Sequence, residues 1–226
     1  MNKDEKKQTC IIIPFFNEEK TIGAVLSNLI SNGYSVVTVN DGSFDNSKEI
    51  VSKFSVYSLE HSINLGQGAA LQTGIEFARK NLQFNYFVTF DADGQHQVQD
   101  IDEIIKPLVK DESDFVFGSR FMNSFSNTPI IKKQILKFAI FLFNFSRNIK
   151  LSDTHNGFRA FNRKAAEIIN LNFANMTHAS EFIDIAINSG LRITEVPVSI
   201  LYTDYSKKKG QSIWNSVNIL VDLFLR

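Results

Sequence analysis

Cysteine is nearly absent from this chain, and so is any excess of charge of one sign. The single Cys10 among 226 residues rules out an internal disulfide bond and suits a reducing compartment. The 24 lysines and arginines balance 24 aspartates and glutamates, which leaves a formal net charge of zero. Because a general nucleic-acid-binding protein should carry a basic excess, we predict no nucleic-acid partner.

Long hydrophobic runs are also missing. No stretch approaches the ~20 apolar residues that a membrane-spanning helix needs. The apolar run at residues 10–16 is too short for a signal peptide and leads directly into Asn17, Glu18 and Glu19, so it predicts a buried first strand. We therefore expect a cytoplasmic protein.

The chain does contain a regular alternation of strand and helix patterns. With 43% hydrophobic and 21% charged residues, its composition is that of a globular protein. Predicted strands at residues 10–13, 36–39, 86–90 and 115–117 alternate with predicted helices at residues 21–30, 69–80 and 101–109. This alternation predicts an α/β fold with a mainly parallel, Rossmann-like sheet and helices on both faces. No repeat or linker is visible, so we predict one domain over residues 1–212 and a C-terminal amphipathic helix over residues 213–226.

Polar turns follow the predicted strands. They read PFFNEE at residues 14–19, NDGS at 40–43, DADGQH at 91–96 and GSR at 118–120. In parallel sheets, ligands bind beyond the carboxyl ends of the strands. Four polar turns at one edge of the sheet therefore predict a binding site there.

The acidic turn at residues 91–96 is the most informative of the four. Asp91 and Asp93 follow an apolar strand directly, Gly94 permits a bend, and Gln95 and His96 add further donor atoms. Hard divalent cations prefer oxygen ligands, and Mg²⁺ typically takes one or two carboxylates together with substrate phosphates. The spacing favours a metal site, and the alternative is a solvated aspartate-rich turn that caps a helix.

Taken together, these turns resemble the family-two inverting glycosyltransferases with the GT-A fold. The similarity is greatest to the dolichol- or polyprenol-phosphate sugar synthases and their bacterial relatives. It extends over roughly residues 10–212 in the family's order. The matching segments are PFFNE at 14–18, with Phe16 in place of tyrosine, NDGS at 40–43, NLGQGA at 64–69, DADGQH at 91–96, GSR at 118–120 and DTHNGFR at 153–159.

The resemblance implies a site for a nucleoside-diphosphate sugar donor. The residues that would hold the uracil or guanine base and its ribose are Pro14, Phe16, Glu18, Val39 and Asp41. Asp91 and Ala92 would line the nucleotide, while Asp93 and Gln95 would ligate Mg²⁺ or Mn²⁺ beneath the diphosphate. Arg120 would face the phosphates or the acceptor, since a guanidinium can grip phosphate with two hydrogen bonds.

The chain departs from the family pattern at two places. Asn40 replaces the first aspartate of D-D-G-S, while Asp41 is retained, so we expect nucleotide binding to survive. The late R-x-x-G-x-S-K motif appears as KKKGQSI at residues 207–213, with an isoleucine at the terminal lysine position. The residues implied on the acceptor side are Asn156, Arg159 and Lys207.

Asp153 lies where the family has an acidic residue near the acceptor. If the acceptor is a hydroxyl, an inverting displacement needs a base, and Asp153 is the candidate. If the acceptor is a lipid phosphate, it is already anionic and needs no base. Capping of the following turn is the structural alternative.

Two aromatic, apolar segments bear on the acceptor, at residues 135–145 and 213–225. Cationic residues flank the first, a pattern typical of a helix that lies in a membrane interface. This would place the protein at the inner face of the plasma membrane. Core packing or a homodimer contact explains the same pattern, so both readings stay open.

The sequence thus predicts metal-assisted, inverting transfer of a sugar to an acceptor oxygen, preferably of a polyprenyl phosphate. Arg120 and the metal would stabilise the departing diphosphate. Transfer to a sugar hydroxyl in surface-glycan assembly, a nucleotidyltransferase and an inactive module at the membrane surface are the alternatives. The Gly66-Gln67-Gly68 segment lacks a complete dinucleotide-binding motif, which argues against a dehydrogenase.

Overall fold

The computed structural model describes residues 2–122, 130–147, 149–154, 156–172 and 178–201. The predicted C-terminal helix at residues 213–226 and the KKKGQSI segment with Lys207 lie outside these residues. The predicted division at residue 212 therefore stays a prediction.

A seven-stranded sheet forms the centre of the molecule, in the order β3-β2-β1-β4-β6-β5-β7. Its β6 runs antiparallel to both neighbours, β4 and β5, whereas the other neighbouring pairs are parallel. The strands are β1 (Thr9–Phe15), β2 (Ser35–Asn40), β3 (Tyr57–Glu60), β4 (Tyr86–Thr89), β5 (Phe115–Ser119), β6 (Arg159–Asn162) and β7 (Ile193–Pro197).

Helices connect the strands and cover the sheet. None of those within the described residues is both long and apolar enough to cross a bilayer. The helices are α1 (Lys3–Lys7), α2 (Ile22–Ser31), α3 (Ser47–Val51), α4 (Gln67–Asn81), α5 (Asp100–Val109), α6 (Ile130–Arg147), α7 (Arg163–Ile168) and α8 (His178–Asn188).

Two hydrophobic cores, one on each face of the sheet, explain why β1 is buried along its whole length. Ile11 and Ile13 belong to the core under α2 and α5, whereas Cys10 and Ile12 belong to the core under α4 and α8. Successive side chains of a strand point to opposite faces, so a strand covered on both sides reads as a continuous apolar run. The predicted α/β class with helices on both faces is confirmed.

The antiparallel β6 is the feature that the alternation of patterns did not predict. Thr89 of β4 and Phe117 of β5 both pair with Arg159 at the start of β6. Because β6 is reversed, its beginning lies where its neighbours end. The segment at residues 153–158 thus reaches the edge of the sheet that carries the polar turns.

Candidate functional site

The turns after β1 and β2 are joined by hydrogen bonds. The backbone N–H of Asn17, which has a left-handed φ of 54°, donates to Ser43 Oγ at 3.0 Å, and Asn17 Oδ1 accepts from the Phe44 N–H at 3.0 Å. Phe16 packs edge-on against Phe44, whose side chain is 84% exposed. These two turns form one rigid unit with an aromatic pair on its surface. Sequence reasoning named Phe16 but missed Phe44.

Asp41 is buried at the end of β2, and its carboxylate holds the loop that precedes α4. Its oxygens accept from the backbone N–H groups of Leu65 at 2.9 Å and Gly66 at 2.8 Å. His61 Nδ1 lies 2.8 Å from the same carboxylate, while its Nε2 lies 2.9 Å from Thr73 Oγ1. A carboxylate offers about four acceptor positions, so this network leaves Asp41 little capacity for a nucleobase.

The other residues expected to bind the nucleobase are mostly buried. Val39 is fully buried, its side chain faces Gly74 of α4, and it pairs with Pro14 of β1 and Leu59 of β3 within the sheet. Glu18 is 9% exposed, and its carboxylate accepts from Thr21 Oγ1 at 3.0 Å. These three predicted contacts are therefore largely covered in this structure.

Asp91 lies at the centre of the edge, directly after β4 and Phe90. Gln67 Nε2 donates to Asp91 Oδ1 at 3.0 Å, a contact that sequence reasoning missed although Gln67 lies in a matching motif. A Cβ on Gly157 would lie 2.8 Å from Asp91 Oδ2, so any other residue there would push the Asp91 carboxylate out of this position. Burial raises the pKa of Asp91, and the nearby guanidinium of Arg159 opposes that shift.

His96 supports this turn from beneath. Its ring is stacked on Phe158 at 4.8 Å and lies edge-on to Phe90, and it is 6% exposed. Burial lowers the pKa of His96 to about 4, so the ring is neutral at pH 7. Its Nδ1 accepts from the Asp91 N–H at 3.1 Å, which assigns the proton to Nε2, 3.4 Å from Asp91 Oδ2.

Asp93 and Gln95 offer the oxygen atoms of the predicted metal site. Asp93 accepts from the Gln95 N–H at 3.0 Å and from Gln95 Nε2 at 2.6 Å. Burial and the negative charge of Asp91 raise the pKa of Asp93 to about 6. A cation would relieve that repulsion, and the Gln95 amide would have to turn its oxygen towards it.

No cluster of three acidic, histidine or cysteine side chains suited to a metal occurs in the described part of the chain. Asp93 and Gln95 themselves offer one carboxylate and one amide oxygen, a donor set that fits a hard cation which also takes the phosphates of a ligand.

Arg120 and Asp153 form an ion pair across the edge from the acidic turn. Arg120 donates through Nε to Oδ2 at 2.6 Å, through Nη2 to Oδ1 at 2.8 Å and through its backbone N–H to Oδ2 at 3.1 Å. The Asp153 side chain is 0% exposed. Both carboxylate oxygens of Asp153 are engaged in this two-pronged, charge-assisted pair. The geometry therefore suits Asp153 better as a support for Arg120 than as a proton acceptor.

Arg159 places a second cation under the site. Burial lowers its pKa to about 10, while Asp91 and Asp153 raise it, so the guanidinium stays charged at neutral pH. Its Nε and Nη1 lack a hydrogen-bond partner within the described residues. Asn156, the other acceptor-side residue described, donates through Nδ2 to Gly118 O at 2.9 Å. The structure brings both to the predicted edge, whereas Lys207 lies outside the described residues.

The remaining predicted nucleotide contact is Ala92. It is 4% exposed and belongs to the core beneath α2 and α5. Its side chain therefore packs inward, into the core.

Comparison with known proteins identifies clear relatives. A sequence model described as glycosyl transferase family 2 matches residues 10–169. An uncharacterized protein of Methanocaldococcus jannaschii is 37% identical over 232 residues, covering 100% of this chain and 95% of the relative. The UDP-N-acetylglucosamine--dolichyl-phosphate N-acetylglucosaminyltransferase of Methanococcus voltae is 33% identical over 240 residues, covering 95% of this chain and 94% of the relative.

Solved structures share the fold. Glucosyl-3-phosphoglycerate synthase from Mycobacterium tuberculosis, in complex with Mn²⁺, UDP and glucosyl-3-phosphoglycerate, superposes with a TM-score of 0.70. The superposition covers 98% of this chain and 80% of that chain, with 13% sequence identity. At this identity the likeness concerns the fold alone.

Proposed function

The chain belongs to glycosyl transferase family 2 and has its GT-A fold, and we propose that it transfers a sugar from a nucleoside-diphosphate sugar to a dolichyl or polyprenyl phosphate. One observation carries the proposal: the acidic turn with Asp91 and Asp93 and the Arg120–Asp153 pair lie at one edge of the sheet. The name of the Methanococcus voltae relative specifies UDP-N-acetylglucosamine and dolichyl phosphate, which supports a UDP-linked donor and a lipid-phosphate acceptor.

The donor half of the site is built from the first four strands. Phe16 and the backbone near Asp41 hold the base, and the turn at Asp91 holds the ribose and diphosphate. Asp93 and Gln95 would hold Mg²⁺ or Mn²⁺, which would supply a Lewis acid to neutralise the charge of the departing diphosphate. Arg120 faces the same phosphates and can stabilise their charge through its guanidinium.

The acceptor half of the site, formed by Arg120, Asp153 and Arg159, favours a negatively charged acceptor. Arg120 and Arg159 lend the edge positive charge, and Asp153 is engaged by Arg120. A lipid phosphate attacks without losing a proton, so it needs no free base. Its oxygen displaces the diphosphate in line, which inverts the anomeric carbon. A sugar-hydroxyl acceptor would instead need Asp153 to leave its ion pair and accept a proton.

Binding of nucleotides tests the donor half directly. We expect calorimetry to show that UDP or GDP binds in the presence of Mg²⁺ or Mn²⁺ and that EDTA abolishes or greatly weakens binding. Comparison of the two nucleotides identifies the base. Absence of binding to either nucleotide with either metal would contradict the proposal and favour an inactive interaction module.

A membrane contact is the second part of the proposal. Phe138, Phe141 and Phe145 lie three and four residues apart on α6 and are 58%, 63% and 81% exposed, whereas Phe143 on the opposite face is buried. Three exposed phenylalanines on one helix face are suited to insert into the interface of a bilayer. The helix lies in the chain between Arg120 and Asp153, the two residues of the ion pair at the site.

Vesicle sedimentation tests this contact. We expect the wild type to bind vesicles that contain anionic lipid, and simultaneous replacement of Phe138, Phe141 and Phe145 by serine to weaken binding at least about tenfold, because apolar burial is lost. Tyr57→Ser, at an exposed position on β3 away from the site, is the control and should bind as the wild type does. Equal binding of the triple variant would assign the aromatic face to another role.

A further inference from the structure

Glu195, in the middle of β7, accepts hydrogen bonds from two adjacent residues of one turn, Ser152 and Asp153. Its carboxylate accepts from the Ser152 N–H with both oxygens at 2.8 Å, from Ser152 Oγ at 2.9 Å and from the Asp153 N–H at 3.1 Å. It makes no ion pair within the described residues. Its whole hydrogen-bonding capacity is thus directed at two adjacent residues.

Those two residues lead directly to Arg120. Ser152 Oγ lies 2.6 Å from Ser119 Oγ at the end of β5, and Asp153 holds both the backbone N–H and the guanidinium of Arg120. Glu195 pairs with Phe117 in the parallel register of β5 and β7. The strand that leads to Arg120 and the strand that carries Glu195 therefore lie side by side, and Ser152 contacts both of them.

The buried carboxylate of Glu195 has a cost and a benefit for the fold. Burial raises the pKa of Glu195, while hydrogen bonds from Ser152 and Asp153 oppose that shift. Placing a second acid behind Asp153 costs free energy that a neutral acceptor would avoid. The arrangement gains orientation, because holding the Asp153 backbone fixes the position from which its side chain reaches Arg120.

We propose that Glu195 is a positioning residue for sugar transfer: by fixing Ser152 and Asp153, it holds Arg120 in the orientation that faces the leaving diphosphate. This role rests on the proposed function, because it assigns Glu195 to the same reaction. Glu195 itself does not contact substrate and acts through Asp153.

Substitution at Glu195 tests this role through activity. We expect Glu195→Ala to lower kcat about 10–100-fold, the range seen when a residue that orients a functional group is lost. Glu195→Gln keeps one oxygen acceptor and should recover part of that loss. Because both residues act through Arg120, adding Glu195→Ala to Asp153→Asn should cause no further loss.

A second measurement reports the position of Arg120 without relying on activity. In ¹⁵N NMR spectra, the Arg120 Nε–H, assigned by its disappearance in Arg120→Lys, should be protected from solvent exchange in the wild type and exchange faster in Glu195→Ala. Asp114→Asn is the matched control, since Asp114 is an equally engaged acid at the other end of β5. It should reduce stability yet retain kcat and the Arg120 signal.

Wild-type kcat together with an unchanged Arg120 signal in Glu195→Ala would overturn the positioning role and leave the proposed function intact. Failure of the wild type to bind nucleotide or transfer sugar would overturn the proposed function instead. In that case the NMR comparison still decides whether Glu195 holds Arg120.

Discussion

Replacing Asp93 with asparagine is expected to abolish sugar transfer and, at the same time, to stabilise the metal-free protein at pH 7. Transfer should fall by about 100–1000-fold or more, because a group that stabilises the leaving diphosphate through the cation is lost. Stability should rise because the pKa of Asp93 is raised to about 6, first by burial and then by the charge of Asp91. Asparagine removes the cost of ionising that carboxyl in the folded state.

The direction of the pH dependence follows from the raised pKa. Between about pH 4 and pH 6 the folded protein binds more protons at this site than the unfolded chain does, so stability falls as pH rises. Thermal unfolding in EDTA should show this fall in the wild type and a smaller one in Asp93→Asn. The gain at pH 7 should be on the order of 1–2 kcal/mol.

Asp114→Asn is expected to have the opposite effect on stability. Hydrogen bonds from Arg192 hold the pKa of Asp114 well below its usual range, so its carboxylate stabilises the fold near neutral pH and loses that effect as pH falls. This substitution should therefore destabilise the protein at pH 7.

A wild-type level of transfer in Asp93→Asn would contradict the assignment of Asp93 as a metal ligand.

Asp153→Asn is expected to lower both activity and stability. The substitution leaves the Arg120 guanidinium, 12% exposed, without its charged partner, which typically costs on the order of 3–5 kcal/mol. Because Arg120 is no longer held against the phosphates, kcat should fall by about 100-fold. Urea unfolding and steady-state kinetics measure the two effects separately.

The same variant distinguishes the two classes of acceptor. With a lipid-phosphate acceptor, the pH profiles of kcat for the wild type and Asp153→Asn should have the same shape, because no proton is taken by Asp153. With a hydroxyl acceptor, the acidic limb that belongs to the base should disappear in the variant. The double variant Arg120→Ala with Asp153→Ala should regain stability but not activity, since no unpaired buried charge remains.

The strands and polar turns around the donor half could be predicted from the sequence because their signals are local. Strand β1 is a continuous apolar run, and the turn at residues 91–96 follows β4 directly. The acceptor half depends on contacts between distant residues. Nothing in the four residues of β6 reveals its reversed direction, and the pairing of Arg120 with Asp153 spans 33 positions. Sequence reasoning therefore named both residues but not their contact.

Hydrogen bonds between distant residues explain the other differences between the predicted roles and the observed contacts. Asp41 matches a motif, yet its carboxylate is engaged by Leu65 and Gly66, which only the folded loop reveals. Glu195 was missed because a single acid in an apolar strand gives no local signal. Its partners lie 42 and 43 positions earlier in the chain.

The reversed direction of β6 has a consequence for how such a protein could diversify. The chain leaves the sheet after Ser119 and returns to it at Arg159, with both points at the same edge. The excursion between them, which contains α6, is thus anchored at its two ends by the site itself. Within it, Phe143 packs into the core, whereas the exposed face with Phe138, Phe141 and Phe145 can change without disturbing that contact. Under the proposed function, a change of this face would be the simplest route to a new acceptor.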